Sequence, residues 1–422
     1  MEPNQVNENV TKAPKRKPKR RGFFAGIFCG MLISLVLVMI AGVGVFVYQI
    51  KQVQINSQNT GEAAVTTTMQ RKLQTIEQII DFYYYKDDVD AKTLEEGAYR
   101  GMLDSLGDPY STYYSEAELK SLLEQTEGIY YGIGAYVAQD TISGLPKISS
   151  AMPGTPAEAA DLRPDDIIYK VDGKEVYGMD LNAVTAMIKG EEGTTVNLTI
   201  IREGESDYLS IDVTRRKVET PTIGFEMFED GMAYIQIMEF NDATVAQFTD
   251  ALATAKGSDM KGLIIDLRAN PGGNLSTVVE IAQMLLPKGL IVYTEDKYGN
   301  RDEYKCNGTN EFEYPLVVMI DGNSASASEI LAGAIQDYEK GTLVGTTTFG
   351  KGIVQQVISL ADQSAVKITV SSYYTPKGRD IHGVGIEPDL VCEFDGNAYY
   401  NEGYDNQLEY AKEVLAGKIA GQ

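Results

Sequence analysis

The chain has 422 residues, enough for two or three domains of ordinary size, and its 43% apolar content can fill sizeable cores. A formal net charge of −23, from 37 basic against 60 acidic side chains, argues against nucleic acid as a partner, because phosphate binding needs a basic face. Three cysteines and one histidine supply neither a disulfide framework nor a Cys/His cluster, so no metal site is expected.

The charge is unevenly spread. Residues 1–21 form a basic arm with seven Lys/Arg, from Lys12 to Arg21, and residues 22–50 follow without a charged side chain. The stretch FFAGIFCGMLISLVLVMIAGVGVFVY is long enough to cross a hydrocarbon layer of ~30 Å. It runs out in FVYQIKQVQIN without the small-residue cleavage site of a signal peptide, so a transmembrane signal anchor is expected. Basic residues stay on the cytoplasmic side, which puts Lys51 onward outside the cytoplasm. Cys29 falls in the span and is preceded by Phe28, which does not suit a lipoprotein box. Cys306 and Cys392 fall outside, and the sequence leaves their pairing open.

Residues 51–68 are rich in Thr, Asn and Gln and read as a linker. From Met69 to Leu106 apolar residues recur at helical spacing (Leu73, Ile76, Ile79, Ile80, then Leu94, Ala98, Met102, Leu103). LGDPYSTYY (106–114) breaks the pattern with Gly107 and Pro109, and 116–125 reads as a short helix. Residues 128–215 alternate strands, glycine turns and two short helices (156–160 and 181–189), a compact module of about 85 residues. From 222 onward strands alternate with helices: MAYIQIM, a helix over 242–255, GLIIDLR, a helix over 275–286, LVVMID, a helix over 326–337, then LVGTTT, VQQVISL and AVKITVSSYYT. LIID and LVVMI are continuous apolar runs, the mark of strands covered on both faces, so an α/β domain is expected.

Three segments carry candidate chemistry. In MIDGNSASASEILAGAI (319–335) a buried strand turns into a helix and presents serines at the helix start, where free N–H groups and the helix dipole stabilise negative charge. Helix capping explains one such serine equally well. In IIDLRANPGGNLSTVVEIA (264–282), Gly272 and Gly273 permit close backbone approach, or simply a left-handed turn. In LVGTTTFGKGIVQQVISL (343–360), Lys351 sits between glycines and apolar strands. An exposed loop lysine is the commoner outcome. To act as a base near pH 7 it must lose about 3 pKa units, roughly 4 kcal/mol, which burial can supply. Gln355, four residues on, lies on the same side of an extended segment and could orient the amine. The single histidine, His382, sits in a glycine-rich turn and reads as structural.

Together these blocks resemble the C-terminal processing (tail-specific) peptidases, PDZ-containing serine enzymes with a Ser-Lys dyad. LGDPYSTYY resembles their helical signature, GIGAYV and GTPAEAADLRPDDIIYKVDG their PDZ domain, and LRANPGGN, NSASASE, TTTFGKGIVQ and HGVGIEPD their core blocks, in order. The resemblance implies an α/β architecture: a transmembrane helix, a helical part (69–127), a PDZ domain of β-sandwich and helix (128–215), and a crotonase-like peptidase core (216–422) ending in a helix near 407–415. It implies Ser326 as nucleophile, Lys351 as general base and Gln355 steadying the lysine. It further implies the amides of Gly272 and Ala327 as oxyanion hole, and Gly132, Ile133 and Gly134 as the loop that binds a substrate carboxylate. No cofactor is implied. Asp266 and Arg268 are expected to brace the glycine turn, Glu329 the nucleophile turn, and Ser324 and Ser328 to cap and pack. Asp161 departs from the PDZ pattern, which has glycine there. The implied function is a membrane-anchored extracytoplasmic serine endopeptidase that takes protein or peptide substrates by their C-terminal tails. The helices of 69–106 also offer a surface for a homo-oligomer. The competing readings are a non-catalytic PDZ scaffold on a dead peptidase fold and an acyl-CoA enzyme of crotonase-like fold.

Overall fold

The computed structural model describes residues 65–421 apart from 142, 310 and 311. The expected arm and anchor lie outside the described residues. Among the described residues no helix is long and apolar enough to cross a membrane. The chain forms two units, one ending at Ala91 and one beginning at Lys92.

In the first unit, helix α1 (Thr67–Tyr83) is capped by Thr66, whose hydroxyl accepts the Met69 N–H at 3.2 Å. Its Leu73, Ile76 and Ile79 are exposed. The helical spacing expected to run from Met69 to Leu106 is broken over 84–90, where the charged KDD run carries no apolar positions.

The second unit opens one residue into α2 (Ala91–Asp104), which is followed by β1 (Thr112–Tyr114), α3 (Glu116–Glu127) and β2 (Ile129–Gly132). Next come β3 (Ala135–Gln139), β4 (Pro146–Ala151), α4 (Pro156–Ala159), β5 (Ile167–Val171), β6 (Lys174–Glu175), α5 (Leu181–Ile188), β7 (Thr195–Ile201) and β8 (Leu209–Thr214). These strands form one sheet in the order β3-β4-β5-β7-β8, with β6 on β5. Ile148, Ile168, Leu198 and Ile200 of the sheet, with Val184 and Ile188 of α5, make its core. This is the expected PDZ module. Among the described residues strand β3 pairs only with β4, which leaves its outer edge unpaired. Asp161 adopts φ +56°, a left-handed conformation in which glycine is the unstrained residue. Strand β2 stands apart from this sheet and pairs with β9 (Arg216–Glu219), closing the base of the module.

The remaining elements are β10 (Ile223–Met227), β11 (Met232–Ile237), α6 (Thr244–Gly257), β12 (Gly262–Asp266), α7 (Leu275–Gln283), β13 (Gly289–Asp296) and β14 (Arg301–Cys306). After them come β15 (Leu316–Ile320), α8 (Ala327–Asp337), β16 (Thr342–Gly345), β17 (Ile353–Ser359), β18 (Ala365–Tyr374), β19 (Leu390–Val391), α9 (Gly396–Glu402) and α10 (Asn406–Ala420). One sheet runs β10-β11-β12-β15-β16-β19, parallel from β11 onward. Every residue of β12 and β15 is buried, as the apolar runs predict. One face packs Ile235, Ile265 and Val318 against α6, α7 and α8; the other packs Ile264, Val317 and Met319 against Ala411 and Leu415 of α10.

A second, antiparallel sheet runs β1-β18-β13-β14 with β17 on β18, and its Ile291, Val292 and Tyr373 join the core formed around α7 and α8. Here the structure adds to the sequence reading. The β13–β14 hairpin occupies residues 289–306, which the apolar pattern left unassigned, because its outward positions are charged. The expected strand LVGTTT ends at Gly345, and 346–348 leave the sheet toward the cleft.

Candidate active site

Strands β12 and β15 are parallel neighbours, so the loops that follow them emerge together. After β12 come Asn270, Pro271, Gly272 and Gly273. After β15 comes the serine turn that opens α8. Ser326 stands at the helix start with φ 55° and ψ −112°, a conformation that costs a non-glycine residue on the order of 1–3 kcal/mol and persists only when neighbours hold it.

The holding contacts are specific. The Ser324 hydroxyl donates to the Leu267 carbonyl at 2.8 Å and the Ser328 hydroxyl to the Asn270 carbonyl at 3.0 Å, fastening the serine turn to the glycine turn. The fully buried Glu329 carboxylate accepts four bonds. Oε2 takes the Ser326 and Lys351 N–H groups, both at 2.8 Å. Oε1 takes the Gly350 N–H at 2.7 Å and the Thr348 hydroxyl at 2.6 Å. Tyr373 adds a second tie, its buried hydroxyl lying 3.0 Å from the Ser326 carbonyl and 2.5 Å from the Lys351 carbonyl. Burial, and then the negative charge of Glu329, push its phenol well above its ordinary pKa, so it remains a donor.

These loops enclose a cleft of about 380 Å³ lined by Ser326, Ala327, Gly272, Lys351 and Gln355, so five of the expected site residues share one cavity. Lys367, Glu239, Tyr373 and Gln125 and Thr126 of α3 line it as well. The Lys351 ammonium lies 4.7 Å from the centre of the Tyr110 ring. Burial, then the nearby Lys367 charge, lower its pKa, while Asp108 and Glu329 act in the opposite sense. Gln355 donates to the Thr369 hydroxyl at 3.2 Å, and Thr369 donates in turn to Asp108 at 2.6 Å. Its expected role of steadying the lysine is therefore not seen as a direct bond. A register shift between Val354 and Gln355 alters the alternation on which that expectation rested.

Gly272 takes φ +104°. A Cβ there would lie 2.7 Å from the Ala325 carbonyl oxygen and 2.8 Å from the Ser326 Cβ, so the glycine backbone rests against the serine turn. Its N–H donates to the Asn270 side-chain oxygen at 2.8 Å. Gly272→Ala is expected to push the serine turn away, and displacements of this kind cost about 100-fold in rate. Steady-state kinetics beside a thermal melt check this, and wild-type kcat would contradict it.

Asp266 braces only the start of the glycine loop, accepting the Arg268 N–H at 2.9 Å, and the Arg268 side chain serves another part of the fold. Arg268 binds Asp266 at 2.7 Å and Asp405 at 2.8 Å, and reaches Gln407 at 3.0 Å, locking the start of α10 beneath the sheet. The spacing of the LRANPGG block hid this because the partners lie 137 and 139 residues away. His382 forms no part of the cleft lining; its N–H is bonded to Asp380. Cys306 and Cys392 are free thiols. Among the described residues no cluster fit to hold a metal occurs.

Gly132 ends β2, and Ile133 and Gly134 link it to the first residue of β3. With Ala135, Ile188 and Lys189 they line a groove of about 100 Å³ between β3 and α5. Lys189 donates to Glu124 of α3 at 2.9 Å, from the same helix that lines the larger cleft.

The sequence of residues 231–392 matches the profile of peptidase family S41, residues 147–202 that of a PDZ domain, and residues 38–118 that of the N-terminal domain of the activating protease CtpB. The chain is 38% identical over 318 residues to the carboxy-terminal processing protease CtpA of Bacillus subtilis, covering 75% of this chain and 67% of that protein. It is 36% identical over 340 residues to a carboxy-terminal-processing protease of Bartonella bacilliformis, covering 79% and 76%. A solved photosystem II D1 C-terminal processing protease aligns with a TM-score of 0.46 at 31% identity, covering 78% of this chain and 94% of that one.

Proposed function

The chain belongs to the S41 family of carboxy-terminal processing serine proteases, and from that membership we propose that it cleaves peptide bonds with Ser326 as nucleophile and Lys351 as base. The observation that carries the reading is the strained Ser326 turn opening into the same cleft as a lysine whose charged form is disfavoured.

The neutral Lys351 amine takes the Ser326 hydroxyl proton as Oγ attacks the scissile carbonyl carbon. The carbonyl oxygen becomes an oxyanion and is met by the N–H groups of Ala327 and Gly272. The Gly272 amide exchanges the Asn270 oxygen for the substrate oxygen in this step. The Lys351 ammonium then gives its proton to the leaving amine, the C–N bond breaks, and an acyl-enzyme remains. Water, deprotonated by Lys351, attacks the ester carbon; the C–Oγ bond breaks, Lys351 returns the proton to Ser326 Oγ, and the acid is released. No cofactor enters the reaction.

The PDZ module captures the substrate by its tail. An extended peptide adds to the free edge of β3, and its carboxylate meets the backbone of Gly132, Ile133 and Gly134. Residues 22–50 anchor the enzyme in the membrane and hold the peptidase on the extracytoplasmic side; the helices of 69–106 offer a surface for a second copy. The substrates are proteins with exposed C-terminal tails.

The test is cleavage of a peptide with an apolar free C-terminus by the full chain in detergent, beside the same peptide amidated at its end. Cleavage of the free form, weaker cleavage of the amide, and none by Ser326→Ala are expected. Undiminished cleavage by Ser326→Ala would overturn the nucleophile, equal rates on both peptides the tail reading, and release from membranes by alkaline carbonate the anchor.

A further inference from the structure

The cleft holds two lysines that repel one another, and the Lys351 ammonium has no hydrogen-bond or ion-pair partner among the described residues. What it faces is an aromatic ring. LGDPYSTYY sends Tyr110 over the Lys351 ammonium at 4.7 Å and Tyr114 over the Lys367 ammonium at 5.4 Å.

The turn that carries Tyr110 is firmly held. Asp108 accepts the Tyr110 N–H at 3.0 Å through one oxygen and the hydroxyls of Ser111 and Thr369 through the other, both at 2.6 Å. Ser111 in turn accepts the Thr369 N–H at 3.1 Å, and β1 continues the junction by pairing Thr112 with Lys367. The Lys351 backbone is equally fixed, by Glu329 and Tyr373. Two held backbone segments thus bring a π-face to the partly buried Lys351 ammonium that lines the cleft, and partial desolvation strengthens such contacts.

We propose that Tyr110 is a positioning residue for Lys351: its ring face holds the ammonium in the resting cleft and so sets the pH above which the amine is free to take a proton. The other charged groups around it pull in both directions. Lys367 of β18 disfavours the ammonium, while Asp108 of the turn and Glu329 of α8 favour it. Glu239 also lines the cleft and is bonded to Asn241. His382 acts electrostatically on Asp108. Tyr110 alone stabilises the charged form without itself carrying charge, so removing its π-density lowers the lysine pKa and moves the acid limb of activity to lower pH.

The pH threshold depends on the assignment of Lys351 as base, so the experiment reads the lysine directly as well as the reaction. Tyr110 is replaced in the full chain by phenylalanine and by its mono-, di- and trifluorinated analogues, which keep the shape and progressively drain the ring face. The Lys351 side-chain resonance, identified by its loss in Lys351→Met, is titrated by NMR in the Ser326→Ala background. The midpoint is expected to stay near wild type with phenylalanine and to fall stepwise with fluorination, by about half to one pH unit at trifluoro. The acid limb of kcat/KM is expected to fall in parallel. A midpoint indifferent to fluorination overturns the proposal. A midpoint that moves while the acid limb stays fixed upholds the Tyr110 contact and overturns Lys351 as the base.

Discussion

Lys351→Met is expected to lower kcat by about 10³-fold or more, a loss that raising the pH does not restore, while leaving the thermal transition unchanged or higher. A positioned base contributes about 10²–10⁴ in rate, and in the proposed mechanism the same amine also delivers the proton to the leaving group. Of the other groups that line the cleft, Lys367 lies over the Tyr114 ring, Glu239 is bonded to Asn241, and Tyr373 donates to backbone carbonyls with its pKa raised well above the ordinary phenol value; His382 is not in the lining. The stability half follows from sign. Lysine has a lower pKa folded than unfolded here, so folding is opposed by its charge below the folded pKa, and the opposition fades as pH rises toward the unfolded value. An isosteric apolar side chain removes that opposition and the repulsion from Lys367. Differential scanning calorimetry beside single-turnover kinetics checks both halves. A variant that melts well below wild type would mean that the lysine is a structural group.

Glu329→Ala is expected to behave oppositely, losing stability and activity together. The carboxylate is fully buried and satisfies the N–H groups of Ser326, Gly350 and Lys351 and the Thr348 hydroxyl. Each buried donor left unpaired costs about 1–3 kcal/mol, with partial relief by relaxation, so a loss of about 3–5 kcal/mol is expected. Ser326 would lose the contact that holds its left-handed conformation, and the lysine loop would lose its register against it, for a rate loss of at least about 100-fold. Glu329→Gln should recover part of the stability, since its oxygen can still accept, but its NH₂ must then face a donor. Urea denaturation of the three proteins, followed by kinetics on the folded fraction, decides this; full wild-type activity in Glu329→Ala would show that the nucleophile turn holds itself.

Much of this could be read from residue order. The runs LIID and LVVMI announced strands buried on both faces, and β12 and β15 are buried throughout. The serine, glycine and lysine segments line one cleft, although 54 residues separate Gly272 from Ser326 and 25 more separate Ser326 from Lys351. What stayed hidden depends on distant neighbours. Glu329 was expected to brace only its own turn, yet three of its four donors come from the lysine loop and its lead-in, 19–22 residues away. Tyr373 lies on a strand whose alternation leaves two readings of which side faces inward. Asp266 and Arg268 sit beside the glycine turn in sequence and serve α10 in space. The β13–β14 hairpin carries charges on its open face, so no apolar periodicity betrayed it.

The Arg268–Asp405 pair and the apolar contacts of Ala411 and Leu415 have a consequence for the order of assembly. The sheet that carries the serine and glycine turns gains one of its two covering layers only from residues 405–420. A chain emerging from the ribosome therefore holds an open hydrophobic face on Ile264, Val317 and Met319 until α10 follows, and a sheet open on one side is a poor support for a strained loop. Nascent chains stalled before residue 405 should bind hydrophobic dyes and fail to cleave peptides. On the proposed reading, late closure postpones the first cut until residues 405–420 have been made.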